Sequence, residues 1–337
     1  MYSSSLVSKM ASYKREPVTE MYPLYKENKL TVWKCLKNDK VAQRGPVLLI
    51  PALINRHYIV DLDDKTSICK ELVNQGYSVY LVDWGVSTDE DRWQTFSELF
   101  LGPLRRIIKK VTKDANQKPI VFGYCMGGTM ACIYTACFPD EIAGLITLAA
   151  PIDFSKAGIL SLWTDEKYLD PYQLVDALGN VPPELVQNGF VLLKPVGWMK
   201  KWQNVWEKQD DDKFMELFLT LEYWVNDNIP FPGGIWQEYI KWLYQENRLY
   251  KDILVIGQHK ASLSAIKCPL LTIVADADHI VPSDAAEPLH HLAGSEDKTL
   301  KHFNGGHVGV IVSLKLFPQL IATIGEWLEK HQNVSTV

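Results

Sequence analysis

Residues 119–130, PIVFGYCMGGTM, run from an apolar strand into a glycine-rich turn and then into a helix. A nucleophile at a sharp strand-to-helix turn needs small residues two positions before it and two positions after it. Gly123 and Gly127 occupy those positions around Cys125. The positive end of the helix that follows would favour the thiolate form of this cysteine. The stretch therefore predicts a cysteine nucleophile, and the alternative is a buried structural cysteine in a glycine-rich turn.

On both sides of this stretch, apolar strands alternate with helices. Predicted strands lie at 30–36, 47–50, 78–84, 119–124, 144–150, 270–275 and 300–303, and predicted helices at 65–75, 96–111, 127–137 and 311–330. Short continuous apolar runs are typical of strands that are buried on both faces. The alternation indicates a mostly parallel, doubly wound sheet with helices on both faces. Together with a nucleophile at a strand-to-helix turn, it predicts the α/β-hydrolase fold.

One long segment, 152–255, breaks this alternation. It contains seven of the 11 tryptophans of the chain, and prolines and glycines interrupt it repeatedly. We predict that it forms a helical cap inserted into a single core domain, which comprises 30–151 and 256–337. Residues 1–29 are polar and weakly patterned, and we predict that they form an N-terminal arm.

A cysteine nucleophile in this fold needs a histidine base held by an acid, in the chain order nucleophile, acid, histidine. Asp278 follows a late strand and is the candidate acid, with Asp276 as the alternative. His307 stands in a glycine-rich loop before the last helix and is the candidate base. His57 follows the first buried strand, and we interpret it as a structural residue.

Two backbone positions are candidates for an oxyanion hole. The N–H group of Met126, directly after the nucleophile, would point at the oxygen of a substrate carbonyl. A second donor in α/β-hydrolases usually comes from the loop after an earlier strand, here the sequence PALIN at 51–55. Leu53 and Ile54 are the candidates there, through their backbone N–H groups, unless this loop is an ordinary exit from the strand.

Composition excludes several classes of protein. The 337 residues carry a formal net charge of −5, so no global basic field favours nucleic acid as a partner. No apolar run approaches the roughly 18 residues of a membrane span, and the N-terminus lacks the apolar region of a secretory signal. The six cysteines form no CxxC pair and show no metal-ligand spacing, so we expect reduced thiols, no metal and a cytoplasmic location.

In these motifs the chain resembles the polyhydroxyalkanoate synthases. The box GYCMGG at 123–128 resembles the lipase-like box of that family, in which the nucleophile is a cysteine. Further matching segments are IPALINRHYIVDL at 50–62, VYLVDWG at 79–85, DHIVP at 278–282 and GGHVGV at 305–310. The resemblance implies that Cys125, Asp278 and His307 form the catalytic triad. It also implies that (R)-3-hydroxyacyl-CoA is polymerised into polyester through a cysteine acyl-enzyme, with release of CoA.

The length of the chain resembles that of the short catalytic subunits of classes III and IV in this family. The resemblance therefore implies a second synthase subunit of the PhaE or PhaR type, homodimerisation, and a location on the surface of polyhydroxyalkanoate granules. It implies no cofactor, because the CoA thioester is itself the substrate. The alternatives are a cysteine hydrolase of the same fold, resembling dienelactone hydrolase or an esterase, and a granule-binding protein without activity.

Overall fold

The computed structural model describes residue 13 and residues 15–331 of the chain. Within that part ten strands form, and their bounds are β1 Met21–Glu27, β2 Leu30–Cys35, β3 Arg44–Ile50, β4 Tyr77–Asp83, β5 Ile120–Tyr124, β6 Gly144–Leu148, β7 Val255–Ile256, β8 His259–Lys260, β9 Leu270–Ala275 and β10 Lys298–Phe303. Eight of them build one sheet in the order β1-β2-β4-β3-β5-β6-β9-β10, and β7 and β8 pair only with each other. Strands β3, β4, β5, β6, β9 and β10 are parallel, whereas β1 and β2 are antiparallel additions at one edge.

Helices cover both faces of the sheet because its central strands are apolar on both sides. In β3, Val47 and Leu49 enter one hydrophobic core, whereas Leu48 and Ile50 enter the other. The first core also receives the helices at 68–74 and 317–331, and the second core the helical segments at 96–115 and 126–137. The prediction of an α/β-hydrolase fold is confirmed by this arrangement.

The helical elements outside the cap helices range from single turns to helices of 15 residues. The α-helices of the core are Ile68–Asn74, Phe96–Leu99, Arg105–Ala115, Met126–Cys137, Ser283–Ala286, Pro288–Leu292, Gly309–Val312 and Phe317–His331. The 3-10 turns are His57–Val60, Asp89–Trp93, Pro139–Glu141, Phe154–Lys156 and Leu263–Ala265, and a π-helix spans Phe100–Leu104. None of the helices in the described residues is both long and apolar enough to span a membrane.

Between β6 and β7 the chain is helical, in the segment where we predict the cap. Its helices are Ile159–Trp163, Pro171–Leu178, Pro183–Leu193, Pro195–Glu207, Asp212–Asn226 and Gly233–Glu238, followed by a π-helix at Tyr239–Gln245. Pro171, Pro183 and Pro195 each stand at the first position of a helix, where proline removes no intrahelical hydrogen bond. The prolines that interrupt the sequence pattern therefore mark the starts of separate helices.

The two ends of the cap meet in a buried polar cluster. The amide of Asn247 donates to Asp153 Oδ1 at 2.7 Å, and its side-chain oxygen accepts from the N–H of Phe154 at 3.1 Å. Asp153 and Asn247 are both buried, and Asn247 has a φ of 52°. Because the cluster joins the first and the last residues of the cap, we call it the cap root.

The sequence predicts an arm at 1–29, but the structure pairs Met21–Glu27 with β2 as an edge strand. None of the seven residues of this strand is buried, so no apolar run marks it in the sequence. Its register also shifts between Pro23 and Tyr25, an irregularity that an edge strand tolerates. Residues 1–12 and 14 of the predicted arm lie outside the described residues.

Candidate active site

Cys125 lies at a strained turn between β5 and the helix Met126–Cys137. Its φ is 55° and its ψ is −128°, a conformation that residues other than glycine rarely adopt. The surrounding chain holds it there, because its N–H donates to Leu148 O at 2.9 Å and its carbonyl accepts from the N–H of Gly128 at 2.9 Å. Such strain is characteristic of functional sites, and this turn is the one that the sequence predicts for a nucleophile.

The glycines on either side of Cys125 are required by close approach of the backbone. A Cβ atom on Gly127 would lie 2.0 Å from the carbonyl oxygen of Ile50, in the neighbouring strand β3. One on Gly123 would lie 2.4 Å from the Cα atom of Gly128. Both distances are far inside van der Waals contact, so the turn forms only with glycine at both positions.

The acid and the base meet across two loops at the carboxyl edge of the sheet. His307 Nδ1 lies 2.6 Å from Asp278 Oδ2, and both side chains are buried. The other carboxylate oxygen of Asp278 accepts from the N–H groups of Ile280 at 2.8 Å and Val281 at 2.9 Å. The carboxylate is thus held on both oxygens, and because it contacts Nδ1, it leaves the Nε2 atom of the imidazole for another partner.

The electrostatics of His307 connect it to Cys125. Burial lowers the pKa of His307, but the charges of Cys125 and Asp278 outweigh burial and raise this pKa to about 10. A side chain shifts the pKa of another in this way only when the two are close, so Cys125 and His307 are neighbours. The imidazole of His307 therefore lies between Cys125 on one side and the carboxylate of Asp278 on the other.

The other candidate acids and bases lie elsewhere. Asp276, the alternative acid, is 2.7 Å from the Nδ1 atom of His302 at the surface and makes no contact with His307 among the described hydrogen bonds. His57 lies 3.1 Å from Asp83 Oδ1 and lines a different depression, beside Arg15. The structure therefore brings together Cys125, Asp278 and His307 and separates the alternatives from them.

An apolar cavity of about 220 Å³ opens on Cys125. Met126 and Ile54 line it, whereas Leu53 lines a separate depression. Met126 and Ile54 are therefore the two proposed oxyanion donors that the structure places at the cavity. Most of the other lining residues belong to the cap, among them Phe190 and Trp236. Core loops thus form the floor and cap helices the roof.

Two tyrosines in the roof, Tyr239 and Tyr244, are not among the residues that the sequence motifs indicate. Both interact electrostatically with Cys125. In the sequence they belong to an aromatic-rich stretch that is equally typical of core packing, and no motif marks the π-helix that carries them. In the parts of the chain that the structure describes, no group of three or more His, Cys, Asp and Glu side chains is placed to hold a metal ion.

Comparison with known proteins agrees with this geometry. The family model for the α/β hydrolase fold matches residues 45–314. The chain is 33% identical to the poly(3-hydroxyalkanoate) polymerase subunit PhaC of Allochromatium vinosum, over 93% of this chain and 89% of that protein. It is 31% identical to the PhaC subunit of Synechocystis, over 92% of this chain and 84% of that one.

A further relative is longer than this chain. The PhaC subunit of Haloferax mediterranei is 33% identical over 93% of this chain, which spans only 64% of the length of that protein. Among solved structures, a monoglyceride lipase from Saccharomyces cerevisiae superposes with a TM-score of 0.58 at 16% identity and covers 95% of this chain and 99% of its own. A structure of the metagenome-derived lipolytic enzymes LipS and LipT has a TM-score of 0.53 at 15% identity, covering 86% and 96%. These two structures show the fold that the chain shares with them.

Proposed function

The chain belongs to the family of poly(3-hydroxyalkanoate) polymerase subunits PhaC, and we propose that it polymerises (R)-3-hydroxyacyl-CoA into a polyester with release of CoA. The observation that supports this most directly is the strained Cys125 beside the His307–Asp278 pair, at the floor of an apolar cavity. A buried thiol nucleophile with an oriented base suits acyl transfer from a thioester.

The first half of the proposed reaction transfers an acyl group to Cys125. His307 takes the proton of the thiol, and the thiolate attacks the carbonyl carbon of the acyl-CoA thioester. The N–H groups of Met126 and Ile54 stabilise the negative oxygen of the tetrahedral intermediate. The intermediate collapses when the bond to the CoA sulfur breaks, and the CoA thiolate takes the proton from His307. The products are an acyl-cysteine and free CoA.

The second half forms the ester bond. His307 takes the proton from the 3-hydroxyl group of another hydroxyacyl chain, and the oxygen attacks the carbonyl carbon of the acyl-cysteine. The carbon–sulfur bond breaks and the Cys125 thiolate is released, paired again with protonated His307. One ester bond therefore forms for each CoA that leaves, and no other reactant is consumed.

Sulfur chemistry and the apolar lining of the cavity both support polymerisation over hydrolysis. Exchange between two thioesters is nearly balanced in free energy, because thiolates are both good nucleophiles and good leaving groups. The acyl-cysteine must then persist until a hydroxyl group reaches it, and water must be kept away. The roof of apolar cap side chains, such as Phe190 and Phe231, supplies that exclusion.

The remaining parts of the proposal follow from the family. We propose that the enzyme needs no cofactor, works with a second subunit of the PhaE or PhaR type, forms a homodimer, and acts in the cytoplasm on the granule surface. The cap exposes large apolar side chains such as Leu162 and Leu192, which supports contact with a partner or with polyester.

The test is the product made from (R)-3-hydroxybutyryl-CoA. The chain, alone and together with its partner subunit, is incubated with this substrate, CoA release is followed with a thiol reagent, and the acyl products are separated by size. The proposal expects insoluble polyester in an amount that accounts for the CoA released. Free 3-hydroxybutyrate in the same amount would instead identify a cysteine hydrolase of this fold, and no CoA release in either mixture would contradict acyl transfer.

A further inference from the structure

The cavity above Cys125 has few polar groups for a substrate that carries a hydroxyl group. A hydroxyl moved from water into apolar surroundings costs free energy unless it finds a hydrogen-bond partner. Among the described lining residues, Thr164 already donates its hydroxyl to Leu160 O at 2.7 Å. Tyr239 and Tyr244 also line the cavity and carry the phenolic hydroxyls that interact with Cys125.

The π-helix at Tyr239–Gln245 is what places both tyrosines on one side. In an α-helix with 3.6 residues per turn, side chains five residues apart point about 140° away from each other. In a π-helix each N–H bonds to the carbonyl five residues earlier, so residues five apart are nearly one turn apart and share a face. The rings of Tyr239 and Tyr244 accordingly lie with centroids 5.9 Å apart. Such helices occur frequently at functional sites.

Phe154 holds the two rings in place from the cap root. Its ring centroid lies 5.7 Å from that of Tyr239 and 4.8 Å from that of Tyr244, both in edge-to-face geometry. Phe154 is itself fully buried, and its N–H is bonded to Asn247. The two phenol groups are therefore oriented before any substrate binds, and little conformational entropy is lost when they form hydrogen bonds.

The surroundings keep both phenols in the neutral form. Burial raises the pKa of each tyrosine, and the charge of Cys125 raises both pKa values further. Tyr239 also interacts with the hydroxyl of Thr129, which donates to Pro151 O at 2.7 Å in the first turn after the nucleophile. A neutral phenol both donates and accepts hydrogen bonds, as an alcohol does, so it is a suitable partner for a substrate hydroxyl.

We propose that Tyr239 and Tyr244 bind the 3-hydroxyl group of the acyl chain on Cys125 and so select 3-hydroxylated acyl groups over unsubstituted ones. This inference rests on the proposed function and names the residues that determine which acyl groups the enzyme accepts. The rest of the cavity is mostly apolar and holds the hydrocarbon part of either kind of chain, and the Thr164 hydroxyl is already bonded to Leu160 O. We therefore assign the discrimination to the two phenols.

The experiment compares two acyl donors that differ only in that hydroxyl. Single-turnover acylation of Cys125 is measured by mass spectrometry with (R)-3-hydroxybutyryl-CoA and with butyryl-CoA, for the wild type and for Tyr239→Phe and Tyr244→Phe. Each variant is expected to lower the ratio of the two rates, hydroxylated over unsubstituted, about tenfold. Tyr168→Phe, at an exposed tyrosine of the cap, is the matched control and leaves the ratio as in the wild type.

The results that would overturn this inference differ from the result that would overturn the proposed function. If the phenylalanine variants slow both donors equally, or slow neither, the tyrosines do not recognise the hydroxyl and this inference is overturned. If wild-type Cys125, alone and together with the partner subunit, accepts no acyl group from either donor, the proposed function fails instead. Unchanged thermal unfolding of both variants shows that the ratio does not report a folding defect.

Discussion

The core and the cap differ in how completely their helices are buried. Every residue from Met126 to Ala136 in the helix behind the nucleophile is buried. In the cap helix Ile159–Trp163 no residue is buried, and Leu162 is 57% exposed. Tight packing fixes the atoms of the turn at Cys125, whereas segments with few buried contacts open at lower free energy. The core therefore sets the geometry of the chemistry, and the cap sets what reaches it.

The largest effect is expected at the centre of the core. Cys125→Ala should reduce CoA release about a thousandfold or more, because no other group can carry the acyl chain. Cys125→Ser should also retain little activity, since an alcohol ionises far less readily than a thiol. CoA release and far-ultraviolet circular dichroism check both variants, with Cys268→Ala as the control because that thiol lies outside the cavity. Substantial turnover by Cys125→Ala would contradict the assignment of the nucleophile.

Asp278→Asn should affect the two halves of the reaction unequally. The amide cannot hold the His307 tautomer as the carboxylate does, and deprotonating an alcohol needs a stronger, better oriented base than deprotonating a thiol. We expect polymer elongation to fall about a hundredfold to ten-thousandfold, and Cys125 acylation by a smaller factor. Acyl-enzyme trapped with short primers separates the two steps, and an equal loss in both would refute this division.

The same substitution at two glycines should have opposite effects on stability. Gly127→Ala puts a Cβ atom 2.0 Å from Ile50 O in the core, so the free energy of unfolding should fall by about 3 kcal/mol or more. At Gly189, in a cap helix, nothing lies within 4 Å of the added carbon. Gly189→Ala should therefore raise this free energy by about 0.5–1 kcal/mol. Denaturant titration measures both, and equal destabilisation would remove the contrast between the regions.

A smaller loss of stability than that of Gly127→Ala is expected at the cap root. Asn247→Gly removes the hydrogen bonds to Asp153 and Phe154 but still permits the positive φ of 52°. The substitution should lower the free energy of unfolding by roughly 1–3 kcal/mol, because it leaves buried polar groups unpaired. Amide hydrogen exchange should accelerate at 159–245 and stay unchanged in β5.

Asn116→Gly is the matched control for the cap root. Asn116 has a φ of 53° at the exposed end of a core helix, so glycine loses no buried hydrogen bond there. Its exchange pattern should equal that of the wild type. If Asn247→Gly accelerated exchange in the core as much as in the cap, the two regions would unfold as one unit.

Much of the fold could be predicted from short stretches of sequence. The apolar strands around 47–50 and 119–124 lie in the sheet as predicted, and the confirmed fold follows from their alternation with helices. The edge strand Met21–Glu27 could not be predicted in this way, because it buries no residue and its pairing depends on a neighbour. In the cap, only the prolines and glycines that interrupt the sequence indicate separate helices. The aromatic residues there do not, since they are typical of core packing and of cavity walls alike.

The residue types and chain order around the strand-to-helix turn already indicate Cys125 as a nucleophile, because the glycines two residues away permit the close approach of the backbone that this turn requires. Only tertiary structure decides that Asp278 rather than Asp276 reaches His307, and that Ile54 rather than Leu53 lines the cavity. Neighbouring residues in a loop point in different directions, and which direction faces the site depends on packing between distant segments. The same holds for Tyr239 and Tyr244, which share a face because the helix that carries them is a π-helix rather than an α-helix.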